Sequence, residues 1–270
     1  MLHSVLSFDI GGTGLKTMLS TYTKDYEKPS EEKTQYYNDV DYKNFRNWIR
    51  ANIKEEADIL AISSAGYVDY STKKIIKWAR HWHDYDILKD LENTIRNCKK
   101  MCLLNDGEAH AFASFKSNRP VMVLSFGTSV GFGLITEQNE FLRDDNNINI
   151  DVGDIIFETS CSRKEIWYCC GHHGLEEAIN KYGEYGGVDR FGYRIGTLVR
   201  VLYDKYQKYQ PQTIVLTGGI IEKFGKLLLI NALEELDKKG YKLNVSVNKR
   251  PRDSALIGIR NYSLRHLGIL

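Results

Sequence analysis

Residues 5–13 read VLSFDIGGT, an apolar run that ends in a carboxylate, two glycines and a threonine. Apolar residues return over residues 15–20, directly after the glycines. A short apolar run bounded by glycines predicts a buried strand, and two such runs around a tight turn predict a hairpin. We therefore expect the fold to begin with a strand, a glycine turn and a second strand.

The glycine turn is chemically suited to a phosphate group. Without a Cβ, Gly11 and Gly12 let backbone N–H groups approach phosphate oxygens, and glycine also permits the positive φ angles of such turns. Thr13 adds a hydroxyl donor and Lys16 a positive charge. Asp9 is a candidate ligand for Mg²⁺, directly or through water, because this ion prefers hard oxygen ligands. A tight hairpin with an incidental aspartate is the alternative interpretation of the same residues.

The second half of the chain repeats this pattern. Residues 121–126 (VMVLSF) form an apolar run, and residues 127–133 are rich in glycine, with Gly127 lying 115 residues after Gly12. The repetition indicates a diverged internal duplication. It predicts a second phosphate turn at Gly127 and Thr128.

A third glycine pair, Gly218 and Gly219, follows an apolar run at residues 213–216. Glycines between a strand and a helix would let a flat adenosine lie against the backbone. An ordinary strand-to-helix turn is the alternative interpretation of this pair.

The bulk composition excludes several classes of protein. The chain has 270 residues, a net charge of +2, 42% hydrophobic residues and 27% charged residues, as in soluble globular proteins with one large or two small domains. Its Lys and Arg residues are scattered among Asp and Glu, so they form no concentrated basic face for nucleic acid. No apolar stretch reaches the ~18–20 residues of a membrane helix, and the N-terminus does not have the pattern of a signal peptide. We therefore expect a cytoplasmic protein without nucleic-acid or membrane partners.

Hydrophobic spacing places the remaining elements. Apolar residues recur at helical intervals over residues 45–53, 87–95, 175–179, 195–206, 224–236 and 255–267. Further short apolar runs predict strands at residues 58–63, 101–104, 132–135 and 213–216. The chain has four prolines and no low-complexity linker between its halves, so we expect two α/β lobes joined by a direct hinge.

Seven segments, taken in order, resemble the motifs of the ROK family of sugar kinases, which belongs to the actin/hexokinase/Hsp70 ATPase superfamily. The resemblance covers nearly the whole chain. Residues 8–13 (FDIGGT) and 124–133 (LSFGTSVGFG) resemble the two phosphate motifs, and residues 214–219 (IVLTGG) resemble the adenosine motif. Residues 64–69 (SAGYVD) resemble the Pro-Gly-x-Val-Asp segment, and residues 103–106 (LLND) with Ala109 resemble the catalytic segment. Residues 171–177 (GHHGLEE) resemble the Gly-x-x-Gly-Cys-x-Glu run, and residues 255–258 (ALIG) resemble the start of the closing helix.

This resemblance implies a fold, a reaction and cofactors. The fold would be α/β, a ribonuclease H-like structure of the actin/hexokinase type with two lobes and a central cleft. Residues 1–118, joined by a terminal helix at 255–270, would form the N-terminal lobe, and residues 119–254 the C-terminal lobe. The reaction would be ATP-dependent, Mg²⁺-assisted phosphorylation of a hydroxyl of a hexose or N-acetylhexosamine, as in glucokinases. The family also leaves a homodimer open.

Phosphoryl transfer to an alcohol needs alignment, charge neutralisation and a base near the attacking hydroxyl. The resemblance assigns the base to Asp106 and assigns Asn105 to a neighbouring hydroxyl of the sugar. Both residue types are also favoured at the start of a helix, so helix capping is the alternative interpretation. Gly66, in the Pro-Gly-x-Val-Asp-like segment, is a further candidate for contact with the substrate.

The sugar-binding segments depart from the family pattern. Where the family has Gly-Glu-x-x-His, this chain has Gly153, Asp154 and Phe157. Asp154 keeps a carboxylate, whereas Phe157 can neither form a hydrogen bond nor bind a metal. Glu177 aligns with a second sugar-binding glutamate of the family, and Glu176 is the candidate in a shifted register. An ordinary surface glutamate is the alternative for either.

Metal binding by cysteine is also altered. Five cysteines, an odd number, argue against a disulfide framework. Many ROK proteins hold a zinc ion with the histidine of the sugar segment and three cysteines, but here Phe157, Tyr168 and Leu175 replace three of the four ligands. We therefore predict no family-type zinc site, since zinc wants four N or S ligands. A substitute set is left open among Cys161, Cys169, Cys170, His172 and His173.

Two further functions remain open. The loss of a sugar contact at Phe157 favours a superfamily kinase or ATPase that acts on another small metabolite. A sugar sensor without catalysis, as in ROK-like repressors, is the other. Those repressors carry a DNA-binding segment ahead of the first phosphate motif, and only eight residues precede Asp9 in this sequence.

Overall fold

The structure, a computed structural model, describes residues 3–23, 28–78, 82–116, 119–159 and 162–269. The fold is mixed α/β. Its strands are β1 (His3–Gly11), β2 (Gly14–Tyr22), β3 (Glu31–Tyr37), β4 (Ile59–Ser64), β5 (Tyr67–Asp69), β6 (Lys74–Trp78), β7 (Trp82–Tyr85), β8 (Lys100–Asn105), β9 (Val121–Phe126), β10 (Val130–Ile135), β11 (Ile156–Thr159), β12 (Ser162–Glu165), β13 (Thr213–Thr217) and β14 (Val245–Val247). Its α-helices are α1 (Phe45–Asn52), α2 (Ile87–Leu91), α3 (Asp106–Ser114), α4 (Ile166–Cys170), α5 (His172–Tyr206), α6 (Gly219–Lys238) and α7 (Ser254–His266).

The chain divides into two compact units. The first comprises Met1–Ala113, Arg143–Ile150 and Ala255–Leu270, and the second comprises Ser114–Leu142 and Asp151–Ser254. The first boundary falls slightly before the predicted one at residue 118. The segment Arg143–Ile150, which the sequence placed with the second half, belongs instead to the first unit. It does so because its backbone pairs with β5, where Asp69 and Ile148 form an antiparallel bridge.

The first unit is built on a five-stranded sheet of order β3-β2-β1-β4-β8. The predicted hairpin is confirmed, since β1 pairs antiparallel with β2, and β1, β4 and β8 run parallel. Phe8 and Ile62, at adjacent positions of β1 and β4, are fully buried in the hydrophobic core of this unit. The glycine turn therefore follows a buried strand in the middle of the sheet.

The second unit repeats this arrangement. Its sheet has the order β10-β9-β13-β14, in which β9 and β10 form an antiparallel hairpin and β9, β13 and β14 run parallel. A hairpin followed by parallel strands is the order β2-β1-β4-β8 of the first sheet. The duplication read from the two glycine turns therefore extends to the strand order around them.

Some elements differ from the predicted ones. The helices predicted at 175–179 and 195–206 lie on either side of a break in α5 at Gly183, where φ is 74°. Helix α2 ends at Leu91, so Ile95 packs into the core from the following loop. Strands β3, β5 to β7, β11, β12 and β14 and helix α4 were not predicted. Among the described residues, no helix is both long and apolar enough to span a bilayer.

Candidate active site

Asp9 and Lys16 face each other across the first hairpin. Asp9 is 6% exposed, and its Oδ2 accepts a hydrogen bond from Lys16 Nζ at 2.9 Å. This carboxylate at the end of β1 fits a Mg²⁺ site of the kind that supplies one protein carboxylate and leaves the other positions to water and phosphate oxygens. The carboxylate of Asp9 is thus of the type that Mg²⁺ prefers, while Lys16, the predicted phosphate contact, is paired with Asp9.

The turn after Asp9 is open to a ligand. A Cβ built on Gly11 would come no closer than 3.8 Å to any other described residue outside its chain neighbours. On the protein side, Tyr42 donates its hydroxyl to the Gly11 carbonyl at 2.9 Å. Burial, and then the Asp9 charge, raise the pKa of Tyr42, so this hydroxyl stays a donor. Gly12 and Thr13 form the tip of this turn, between β1 and β2.

Asn105 caps α3 and is fully engaged within the protein. Its Oδ1 accepts hydrogen bonds from the backbone N–H of Gly107 at 2.8 Å and of Glu108 at 3.4 Å. Its Nδ2 donates to the carbonyl of Gly66 at 2.9 Å. The capping interpretation therefore holds for Asn105, whose amide is committed to positioning the helix start.

Asp106 is the first residue of α3 and is partly exposed. Its Oδ1 accepts a hydrogen bond from the N–H of Gly107 at 2.8 Å. A carboxylate in the first turn is favoured by the positive end of the helix dipole. Asp106 thus lies at the mouth of β8, with its carboxylate in the first turn of α3.

Asp9 and Asp106 lie at the same edge of the first sheet. In the parallel register, Asp9 is opposite Ser63 of β4, and Ser64 is opposite Asn105 at the end of β8. Because β4 alone separates β1 from β8, the two strand ends are about 10 Å apart, two strand spacings. The sheet therefore brings a candidate metal ligand and a candidate base to one edge.

Gly66 is required by the fold at its position. Its φ is +96°, and a Cβ there would lie 2.7 Å from the Trp78 Cβ. Its carbonyl accepts hydrogen bonds from Asn105 and, at 3.2 Å, from Asn149 Nδ2. Gly66 therefore links the loop after β4 to the cap of α3 and to the segment Arg143–Ile150.

A buried ionic cluster behind α3 was not predicted. Arg143 Nε donates to Glu108 Oε1 at 2.8 Å, and Tyr70 donates its hydroxyl to Glu108 Oε2. The Arg143 guanidinium lies 3.3 Å from the centre of the Tyr70 ring, and the Tyr70 oxygen accepts from the N–H of Asn105 at 2.8 Å. Burial raises the pKa of Glu108, against the lowering effect of Arg143. Tyr70 and Arg143 each lie 35 or more positions from the α3 residues that they contact, so no local sequence pattern could have predicted these contacts.

The second glycine turn, Gly127 to Ser129, is packed against the start of α5. The N–H of His172 donates to the Gly127 carbonyl at 2.9 Å. A Cβ on Gly171 would lie 2.6 Å from the Thr128 carbonyl oxygen, so only glycine fits there. Gly127 itself has no described neighbour within 4 Å of a built Cβ, which leaves its outer side accessible.

The predicted sugar-binding carboxylates are on the surface of the second unit. Asp154 is exposed, and Phe157, which stands where the family has histidine, is 2% exposed. Glu177 is exposed and lies 3.6 Å from Lys164 Nζ, while Glu176 pairs with His172 Nε2 at 3.0 Å. Both glutamates are thus accessible on α5, and Phe157 serves the core.

Gly218 and Gly219 differ in their surroundings. Gly218 has φ +95°, and a Cβ there would lie 2.7 Å from the Phe126 backbone nitrogen. Gly219, the first residue of α6, has no described neighbour within 4 Å of a built Cβ. The first glycine is therefore required by packing against β9, whereas the second leaves a bare backbone surface.

A pocket of about 720 Å³ lies beside the start of α6, lined by residues 221–227 and 247–253. Two of its arginines form ion pairs, Arg250 with Asp253 at 3.0 Å and Arg252 with Glu222 at 3.9 Å. Its cationic lining residues are Lys223, Lys226, Lys249, Arg250 and Arg252. This pocket was not predicted, although the run KRPRD at residues 249–253 is a cationic signal in the sequence.

The cysteine-rich segment shows no assembled metal site in the part of the chain that the structure describes. No three His, Cys, Asp or Glu side chains of those residues converge as metal ligands would. Cys169 and Cys170 are buried, and a hydrogen bond from Cys170 lowers the pKa of the Cys169 thiol to about 7. His172 and His173 are exposed. Cys161, the remaining member of the proposed substitute set, lies outside the described residues.

The fold of the whole chain is similar to that of solved ROK-family proteins. A ROK family glucokinase from Streptomyces griseus, in complex with glucose and AMPPNP, has a TM-score of 0.74 at 15% identity, covering 96% of this chain and 98% of that one. A ROK family protein from Streptococcus pneumoniae TIGR4, in complex with sucrose, has a TM-score of 0.73 at 15% identity and covers 99% and 100%. A ROK family transcriptional regulator, a homolog of the E. coli MLC protein, has a TM-score of 0.69 at 11% identity and covers 96% and 78%.

These likenesses confirm the predicted α/β fold of the actin/hexokinase type. At this level of identity, they extend to the fold alone. No protein-family model and no curated protein sequence matches this chain.

Proposed function

We propose that this chain is a member of the ROK family and an ATP-dependent kinase that phosphorylates a hydroxyl of a hexose or N-acetylhexosamine. The observation that carries the proposal is the common sheet edge of Asp9 and Asp106, reached through β4. A separation of about 10 Å leaves room for a phosphoryl group and the attacking hydroxyl between a metal-binding carboxylate and a base. The fold likeness to a ROK family glucokinase over nearly the whole chain supports the same reaction.

The donor side of the proposed reaction uses the glycine turns. Gly11, Gly12, Thr13 and Lys16 would hold one part of the phosphate chain, and Gly127 and Thr128 another. Mg²⁺ bound at Asp9 would supply charge neutralisation on the ATP phosphates. Gly218, Gly219 and the adjoining pocket would hold the adenosine end, where Gly219 presents bare backbone.

The acceptor side depends on Asp106. Its carboxylate would accept the proton of the attacking hydroxyl, a contribution of about 10²–10⁴-fold to the rate in enzymes. Asn105 and Gly66 would position Asp106, because their hydrogen bond fixes the start of α3. Asp154 and Glu177 are proposed to bind sugar hydroxyls.

Coupled measurement of ADP release across hexoses and N-acetylhexosamines tests this proposal. We expect Asp106→Asn to lower kcat by about 10²–10⁴-fold while leaving the circular dichroism spectrum and the affinity for ATP unchanged. Asp145→Asn, a change to an exposed carboxylate of the same unit, is the matched control and should leave turnover unaffected. Retained turnover in Asp106→Asn would rule out Asp106 as the base.

A second candidate is a kinase for another small hydroxylated metabolite. Phe157 favours it, because a phenyl ring that is 2% exposed occupies the position of a family sugar contact. The same ADP-release assay with acyclic polyols and hydroxy acids separates the two functions. Turnover of these compounds without turnover of sugars would favour the second.

A further inference from the structure

Trp167 stands where two candidate binding segments of the second unit meet. Its backbone N–H donates to the Gly153 carbonyl at 3.0 Å, directly before Asp154. A Cβ built on Gly153 would lie 3.5 Å from the Trp167 Cβ and 3.6 Å from Ser129 Oγ in the second glycine turn. The side chain of Trp167 therefore starts at the junction of the phosphate turn and the segment that carries Asp154.

Trp167 is more exposed than Trp78 and Trp82. It is 38% exposed, whereas Trp78 is 4% and Trp82 is 5% exposed. No described residue forms a hydrogen bond with its N–H. A large exposed aromatic side chain next to polar residues that could bind a ligand is more typical of a binding surface than of a hydrophobic core.

Neighbouring rings hold this indole in place. Tyr168 meets it edge to face at 5.5 Å between ring centres, and His173 lies 6.4 Å away. Tyr168 and His173 stack on each other at 5.8 Å. Lys164 Nζ lies 4.3 Å from the centre of the Tyr168 ring and 3.6 Å from Glu177. Lys164 thus connects the aromatic cluster to Glu177, and the backbone contact of Trp167 with Gly153 connects it to the segment that carries Asp154.

We propose that the indole of Trp167 is the surface on which the pyranose ring of the acceptor stacks. This inference rests on the proposed function and narrows its acceptor to a cyclic sugar. A pyranose presents a flat face of C–H groups and a rim of hydroxyls, which suits an exposed indole whose neighbouring segments carry the exposed carboxylates Asp154 and Glu177. An acyclic polyol has the hydroxyls without the flat face, so it gains little from the indole.

Binding of glucose, mannose and N-acetylmannosamine, measured by calorimetry and compared with glucitol, tests the inference. We expect Trp167→Ala to weaken binding of the preferred pyranose by about tenfold and Trp167→Phe by less than about threefold. Tyr185→Ala is the matched control, because Tyr185 is an exposed aromatic residue on α5, 85% exposed, and should leave binding unchanged. In the unchanged protein, the pyranose should also shield tryptophan emission from acrylamide.

Steady-state kinetics separate this inference from the proposed function. We expect Trp167→Ala to raise KM for the sugar by about tenfold while kcat and KM for ATP change by less than about threefold. Pyranose binding that depends on Trp167 without ADP release would uphold the stacking surface and refute the kinase. If Trp167→Ala turns over sugar with an unchanged KM, the inference is wrong and the proposed kinase activity is retained. The same holds if the only effect of Trp167→Ala is a change of oligomeric state. If Trp167→Ala does not fold, Trp167→Leu and the acrylamide measurement decide, since unshielded emission at saturating sugar also overturns it.

Discussion

Asn105 and Asp106 are neighbours in sequence, and the protein uses their side chains differently. Both ends of the Asn105 amide are engaged, with Gly66 and with the N–H groups of α3. Asp106 stays partly exposed in the first turn of the same helix. Sequence could not separate capping from catalysis, because both residue types suit both roles. The structure assigns the cap to Asn105 and leaves Asp106 for the proposed chemistry.

His110 gives a prediction for stability against pH. It lies on α3, 6% exposed, near Asp9 and Lys16, and burial lowers its pKa from 6.5 to about 4, with Asp9 opposing and Lys16 assisting. The unfolded chain therefore takes up a proton that the folded chain refuses between those two values. This stabilisation is present above pH 6.5 and is lost as the pH falls toward 4. We expect a loss of about 3 kcal/mol in the free energy of unfolding over that range.

Urea unfolding at several pH values checks this expectation in the unchanged protein and in His110→Gln, which lacks the titrating ring. The variant should lose this part of the pH dependence, whereas His83→Gln, a change at an exposed histidine, should keep it. The comparison is needed because burial raises the pKa of Glu108, whose contribution falls as the pH rises and so has the opposite sign. If the free energy of unfolding changed equally with pH in His110→Gln and in the unchanged protein, the prediction would be contradicted.

At the scale of elements, the turn from β13 to α6 separates a folding role from a binding role. Gly218→Ala should destabilise the protein by more than about 2 kcal/mol, because it puts a Cβ at φ +95° against the backbone of Phe126. Gly219→Ala should keep or raise the stability, since its Cβ would point into open space at the start of a helix. If adenosine lies on this backbone, Gly219→Ala should raise KM for ATP by about tenfold.

Thermal unfolding and ATP titration of the two variants provide the measurement. The variants serve as controls for each other, because they add the same methyl group at adjacent positions. Full stability in Gly218→Ala would contradict the packing argument. An unchanged KM for ATP in Gly219→Ala would refute the proposed place of the adenosine.

Elements with strong apolar patterns could be predicted, and elements held by tertiary contacts could not. Strands β1, β4, β8, β9 and β13 are buried runs bounded by glycine or Asn-Asp, so their sequence carries the signal. Strand β3 reads EEKTQYY and lies at the sheet edge with mixed exposure, so it has no apolar run to find. Helix α5 is broken at Gly183, and the two helices predicted at 175–179 and 195–206 lie on either side of this break.

In the candidate site too, residues in local sequence patterns could be predicted, and residues joined only by tertiary contacts could not. Glycine turns and carboxylates at strand ends are local patterns, and they place Asp9 and Asp106 at one sheet edge. The pair Glu108 and Arg143 is joined only by the return of Arg143–Ile150 to the first unit. The role of Trp167 was not predicted, because its neighbourhood resembles an altered metal site and because the sequence does not show that its side chain is exposed.

At the scale of the whole molecule, the first unit is discontinuous, which makes its stability depend on α7. Leu256, Ile259 and Leu264 of α7 are fully buried, and Arg260 pairs with Glu32 of β3. A Cβ on Gly258 would lie 2.6 Å from the carbonyl carbon of Ala109, so α7 packs closely on α3. Burial of these side chains contributes several kcal/mol, comparable with the ~5–15 kcal/mol stability of a domain.

A chain that ends at residue 254 should therefore lose the first unit and keep the second. Amide hydrogen exchange read by mass spectrometry should show rapid exchange in β1, β4 and β8 and retained protection in β9 and β13. A chain that ends at residue 266 is the control, because it keeps all of α7, and it should be protected in both units. Protection of β1 in the shorter chain would show that α7 is dispensable.

The discontinuity also has a consequence for synthesis on the ribosome. The second unit has all its residues once Ser254 has emerged, whereas the first unit, which includes Met1–Ala113, lacks Ala255–Leu270 until later. Domains generally fold as units during translation, and usually the N-terminal one folds first. Here we expect the reverse order. The residues of the first unit that are synthesised before the second unit would therefore stay unfolded for longest, and they would be the part of the chain most in need of a chaperone.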